Sequence, residues 1–221
     1  MTDVVIPIKN LSQAKSRLGS ILSQPERAEL VLAMLTDLLN TVTKLDQGRI
    51  WVVASDDEVF DIARQFDAGL VLENFVLGYN AAISLGFKAM PDTKNLAVIP
   101  ADVPLATQLE VSALVQPTAG DKPVIRLAPD HGYLGTNGLF LSSGNLMCPG
   151  FGTGSFNRHC ARAQNAGIKP TILNAPYLAH DIDTPDDLEG FAGICSQGST
   201  FNFLCTIGVH SAKQVSSMES T

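Results

Sequence analysis

Three cations stand within nine residues near the start of the chain, Lys9, Lys15 and Arg17 in the run KNLSQAKSRL. They directly follow a short apolar run, Val4–Ile8. A lysine offers a compact point charge and an arginine a two-pronged fork, and both suit a polyphosphate. The segment is not a Walker A loop, because the Gly-x-x-x-x-Gly-Lys pattern is missing. The segment by itself leaves a solvated basic loop open as the other reading.

Carboxylates form two further groups. Asp102 ends the apolar run Leu96–Pro100, where an α/β sheet opens its ligand site. A single carboxylate there suits Mg2+, which takes a few hard oxygens and keeps water and substrate phosphates as its other ligands. The alternative is a turn or helix-cap aspartate. In Asp181-Ile182-Asp183-Thr184-Pro185-Asp186-Asp187 four carboxylates fall within seven residues. An extended segment puts Asp181 and Asp183 on one face, and such crowded like charges call for a cation. Asp186 and Asp187 are assigned instead to the first turn of a helix, where the dipole favours anions.

Glycine-rich turns make the last group: Gly135-Thr136-Asn137-Gly138, and Phe151-Gly152-Thr153-Gly154-Ser155 running into Phe156-Asn157-Arg158-His159. The second opens a helix, and backbone N–H groups at a helix start with a nearby hydroxyl form an anion site. Plain turn geometry and an ordinary serine cap are the competing readings. His159 has a weak case as a general base, since a phosphate acceptor is already ionised near neutral pH (second pKa about 6).

These groups need a scaffold, and the pattern supplies one. Ser23-x-x-Glu26 with Pro25 predicts a capped helix carrying Leu30, Val31, Met34, Leu35, Leu38, Leu39 and Val42 on one stripe. Ile50–Ala54 reads as a buried strand, and Ser55-x-x-Glu58 predicts a capping box for the next helix. Leu70–Leu72 is expected as strand, Leu77–Ala89 as helix despite Gly86, and Leu96–Pro100 as strand. Thr107-x-x-Glu110 and Thr184-Pro185-x-Asp187 predict two more caps. Between them Pro123–Ala128, Gly138–Leu141 and Pro170–Leu173 read as strands. Continuous apolar strands, each followed by a helix, imply an α/β three-layer sandwich with a mostly parallel central sheet.

Composition bounds the rest. The 221 residues carry a net charge of −7, and charged residues are only 17%. A broad grip on nucleic acid is therefore excluded, as is a disordered or coiled-coil chain. No apolar run reaches membrane-spanning length, and the start MTDVVIPIKN lacks the pattern of a secretory signal. A cytoplasmic protein is expected, with Cys148, Cys160, Cys195 and Cys205 as reduced, mostly buried thiols. One catalytic domain is expected over residues 1–195, followed by a Ser/Thr-rich, weakly ordered tail over 196–221 on which Phe201, Phe203 and Leu204 could still dock.

The order IPIK…AKSRL, PADVPL, PD…GTNGL, FGTGSF…H and DIDTPDDL resembles the guanylyltransferase family of coenzyme F-420 biosynthesis. The resemblance runs from about Val4 to Phe191 and also takes in Glu26-Arg27, Ala33-Met34-Leu35 and Tyr79-Asn80-Ala81-Ala82. It weakens at His131–Leu134 and after about Gly193. It implies a GT-A-like nucleotidyltransferase fold. It implies attack by the phosphate of 2-phospho-L-lactate, phosphoenolpyruvate or 3-phospho-D-glycerate on the α-phosphorus of GTP. In that reading Lys9, Lys15 and Arg17 hold the triphosphate, Asn80 contacts the nucleotide, and Lys15, Arg17 and Asp102 are catalytic. Asp102, Asp181 and Asp183 hold Mg2+, and Thr136, Gly152 and Ser155 hold the phospho-acid. The rivals are a molybdenum-cofactor or sugar-phosphate type of nucleotidyltransferase, which resembles a longer Gly-Gly-x-Gly-x-Arg first loop absent here, and a non-catalytic nucleotide-binding regulator. Oligomeric state stays open, with a homodimer as the working expectation.

Overall fold

A computed structural model describes residues 1–45, 48–73, 78–90, 94–118, 120 and 122–209. Seven strands form one sheet: β1 (Thr2–Pro7), β2 (Ile50–Ala54), β3 (Gly69–Leu72), β4 (Asn95–Val98), β5 (Ile125–Pro129), β6 (Thr136–Leu141) and β7 (Thr171–Ile172). Their order is β3-β2-β1-β4-β6-β5-β7. β1 pairs in parallel with β2 and β4, and β5 in parallel with β7, whereas β6 runs antiparallel to both β4 and β5. The C-terminal ends of β1, β4 and β5 and the N-terminal end of β6 therefore share one edge of the sheet.

Strand alternation divides the core into two layers. Val4, Ile6, Val52 and Ile99 face α1 (Gln24–Val42), α2 (Asp57–Arg64), α4 (Gln108–Val115) and α6 (Pro185–Ile194). Val5, Val53, Val98 and Leu139 face α3 (Tyr79–Lys88) and α5 (Ser155–Asn165). The fold is thus a three-layer α/β sandwich about a mostly parallel sheet, as the continuous apolar strands imply. Gly86 belongs inside α3 for a steric reason. A Cβ there would stand 2.8 Å from a Val5 methyl, so only glycine lets the helix lie this close to β1.

Three of the four expected capping boxes form. The Ser23 and Thr107 backbone N–H groups donate to Glu26 (2.7 Å) and Glu110 (3.3 Å), and that of Thr184 donates to Asp187 (2.8 Å). The fourth does not. α2 starts one residue later with Asp56 as its N-cap, because the Ser55 hydroxyl donates to the Asp56 carboxylate at 3.0 Å and accepts from Asn10 at 3.3 Å. That pair ties the turn after β2 to the basic segment after β1.

Two other expectations are corrected. The segment after 195 is not weakly ordered throughout: α7 (Ser199–Thr206) packs on α1 with Leu204 fully buried. The Asp37 carboxylate on α1 accepts from the N–H groups of Ser199 (2.7 Å) and Thr200 (2.8 Å) at the start of α7. Residues 210–221, like the helix start expected at Leu77, lie outside the described residues. The thiols are unpaired but not mostly buried, since Cys148 and Cys205 are exposed and Cys160 and Cys195 half-buried. Among the described residues no helix is long and apolar enough to cross a membrane.

Candidate active site

At the shared sheet edge lies a cavity of about 710 Å³. The chain leaves β1 through Lys9 and turns into two short 3-10 segments, Leu11–Gln13 and Ser16–Leu18. Lys15 sits between them in the left-handed region, φ 49° and ψ 41°. A non-glycine residue there stores about 1–3 kcal/mol of strain, and the turn aims its side chain into the cavity.

The Lys15 ammonium bridges two carboxylates, with Nζ 2.5 Å from Asp102 Oδ2 and 2.6 Å from Asp183 Oδ1. Burial opposes the ammonium, but the two aspartates outweigh it and lift its pKa above the ordinary lysine value. The reverse holds at Asp183: burial opposes its charge, and Lys15 overcomes that and holds the carboxyl below its usual range. Arg17 reaches Asp183 more loosely, at 3.9 Å from an exposed position. Lys9 lies over the Tyr79 ring, 5.7 Å from its centroid.

Asp102, Asp181 and Asp183 converge, each with one carboxylate oxygen within 4.8 Å of the others. Asp102 follows β4, and its carbonyl accepts from Ile182 N–H at 3.0 Å, which locks the second acidic loop against the first. Burial pushes the Asp181 carboxyl up to about 6, with Asp102 adding to the shift and the Asn137 amide, donating at 3.0 Å, opposing it. Glu110 fixes the loop from behind by accepting from Tyr177 (2.8 Å) and Leu178 (3.1 Å) N–H groups. Three hard carboxylates this close suit a small divalent cation that keeps part of its shell for water or phosphate oxygens.

Across the cavity stands the glycine-rich turn. Gly152 (φ 110°) and Gly154 (φ 70°) take up conformations that a side chain would strain. Ser155 begins α5, and its hydroxyl donates to Thr136 Oγ1 at 3.3 Å from the start of β6. Arg158 holds the turn by donating to the carbonyls of Gly150 (2.6 Å) and Thr153 (2.9 Å). Lys9, Lys15, Arg17, Asp102, Thr136, Gly152, Ser155, Asp181 and Asp183 thus line one cavity. His131 and Leu134, from the stretch where the resemblance weakens, line it too.

Asn80 is the exception. Its amide is committed at both ends to the Phe151 backbone, accepting from N–H at 2.8 Å and donating to the carbonyl at 3.1 Å. It staples α3 to the glycine-rich turn and does not line this cavity. Sequence reasoning also left Asn137, Arg158 and Tyr79 without these tasks. The Tyr79 hydroxyl has no partner among the described residues, and burial with the three aspartates pushes its pKa well up.

Comparison with known proteins bears on this geometry. Over 204 residues the chain is 38% identical to a phosphoenolpyruvate guanylyltransferase of Sphaerobacter thermophilus, covering 90% of this chain and 96% of that one. It is 30% identical over 206 residues to a 2-phospho-L-lactate guanylyltransferase of Methanocaldococcus jannaschii, covering 93% and 89%. Among solved structures, a nucleotidyl transferase from Methanothermobacter aligns over 93% of this chain and 99% of its own, with a TM-score of 0.61 at 13% identity. A 4-diphosphocytidyl-2C-methyl-D-erythritol synthase aligns over 85% and 95%, with a TM-score of 0.58 at 14% identity. At such identity these two establish the fold alone, which is GT-A-like. The family model for CofC-like guanylyl transferases matches residues 2–220, so the match takes in α7 and extends past the point where the resemblance weakens. A chain that matches along its length and carries its acidic, basic and glycine-rich segments on one cavity belongs to the CofC-like guanylyl transferase family.

Proposed function

We propose that this chain transfers GMP from GTP to the phosphate of a three-carbon phospho-acid, as a step of coenzyme F-420 biosynthesis. The observation that carries the reading is the facing of two walls across one cavity. One wall holds Lys15, Arg17 and three clustered aspartates, and the other holds the Thr136 and Ser155 hydroxyls on the glycine-rich turn.

Nucleotidyl transfer asks for alignment and charge neutralisation and needs no covalent protein nucleophile. An oxygen of the acceptor phosphate attacks the α-phosphorus of GTP, a new P–O bond forms, and the bond to the β-phosphate oxygen breaks. Pyrophosphate leaves with that electron pair. Lys9, Lys15 and Arg17 neutralise the triphosphate, and Thr136 and Ser155, with the turn at Gly152, orient the acceptor. Asp102, Asp181 and Asp183 would hold Mg2+, which supplies Lewis-acid neutralisation of phosphate oxygens when bound. No proton has to be removed from an ionised phosphate, so the step does not call for a general base.

Phosphoenolpyruvate and 2-phospho-L-lactate are the acceptors in the names of the relatives above, and 3-phospho-D-glycerate completes the set to be tried. The experiment is product identification by mass spectrometry after incubation with GTP, Mg2+ and each acid, with Asp102→Asn as control. The expected result is a guanosine diphospho-acid from wild type and none from folded Asp102→Asn. Equal product from both would sink the metal assignment.

A further inference from the structure

His159 is fully buried on α5 and does not line this cavity, yet it is tied to a residue that does. Its Nε2 accepts from the Gly150 N–H at 2.9 Å, so that nitrogen carries no proton. Phe151 packs on the ring edge to face, 5.0 Å between centroids. Burial, with the Arg158 and Arg162 charges adding to it, depresses the imidazole to about 4, so the ring is neutral near pH 7. A neutral ring with an accepting Nε2 has its one proton on Nδ1. Nδ1 lies 3.0 Å from Thr136 Oγ1 and must therefore donate to it. Thr136 cannot return its own proton to His159, and that hydroxyl lines the cavity beside Ser155.

We infer that His159 is a positioning residue, which by donating from Nδ1 to Thr136 Oγ1 commits the Thr136 hydroxyl proton to the cavity as a donor to the anionic group of the acceptor. The inference rests on the proposal that this wall holds the phospho-acid. A residue serving packing alone would not fix the direction of that proton.

Two substitutions separate the nitrogens. His159→Asn keeps a donor in the place of Nδ1. His159→Gln keeps an acceptor near the place of Nε2 and loses the donor. With steady-state kinetics in both substrates, His159→Gln raises the acceptor KM about tenfold, the worth of one hydrogen bond to a charged group, and leaves the GTP KM unchanged. His159→Asn stays within about threefold of wild type on both. In a Thr136→Val background the His159→Gln effect shrinks to less than about twofold, because residues acting through one another are not additive. Equal rises in both KM values, or an undiminished effect in the Thr136→Val background, overturn the inference. The 15N shifts of the His159 ring in wild-type protein give a readout that survives a misfolded variant. A protonated Nδ1 and bare Nε2 at pH 7 are expected, and the opposite tautomer contradicts the inference. Wild-type protein inert with every acid counts against the functional reading itself, whereas active wild type with an indifferent His159→Gln counts against this inference alone.

Discussion

The Lys15 ammonium between Asp102 and Asp183 is the tightest charge arrangement of the site, and it has two consequences at the scale of single residues. Removing it leaves three carboxylates facing one another. Lys15→Met in a chelator should cost about 2 kcal/mol, or about 4–8 °C in Tm for a chain of this size. Millimolar Mg2+ should recover part of the loss by supplying the missing positive charge, and thermal melts with and without metal check both points. A variant indifferent to Mg2+ would count against a metal role for the three aspartates. Ser155→Ala should raise the acceptor KM more than the GTP KM, as steady-state kinetics in each substrate would read. His159 makes a pH prediction. Its folded pKa of about 4 lies below the unfolded value near 6.5, so it contributes stability above pH 6.5 that is lost as pH falls toward 4. Melting curves across that window should show a shallower acid-side loss in His159→Asn.

At the scale of elements, the caps at Ser23, Thr107 and Thr184 were readable because each box closes within four residues of sequence. The box at Ser55 failed because Asn10 and Asp56 compete for the serine hydroxyl, and Asn10 lies 45 residues away in sequence. Asn80 and Asn137 were opaque for the same reason: their partners, Phe151 and Asp181, are 71 and 44 residues distant. Aspartates and cations at strand ends were legible because charge at the end of an apolar run has few structural uses. α7 was legible only in part: Phe201, Phe203 and Leu204 could be named as docking residues and all three pack on the core, but the Ser/Thr-rich composition masked the helix, and its Asp37 anchor is distant in sequence. Leu204→Ala should cost about 2–4 kcal/mol and leave kcat unchanged, since α7 packs on α1 and contributes nothing to the cavity lining. Chemical denaturation beside an activity assay separates the two effects, and a large fall in kcat in the folded variant would place α7 in the machinery.

Over the whole molecule, the reversal of β6 brings the start of one strand to the edge where β1, β4 and β5 end. Thr136 and Asn137 thereby join Lys15 and Asp102 in lining one cavity, which a fully parallel sheet would have built from strand ends alone. A protein of net charge −7 thus gathers three cations, Lys9, Lys15 and Arg17, on the lining of one cavity, where the proposed reaction would place its triphosphate. The most direct measurement is pyrophosphate release with Mg2+, run with GTP and each of 2-phospho-L-lactate, phosphoenolpyruvate and 3-phospho-D-glycerate, with ATP and CTP as controls. The account predicts release that requires GTP, Mg2+ and one of the acids together. Folded protein silent with all three acids, or releasing pyrophosphate equally well without any acid, would contradict it.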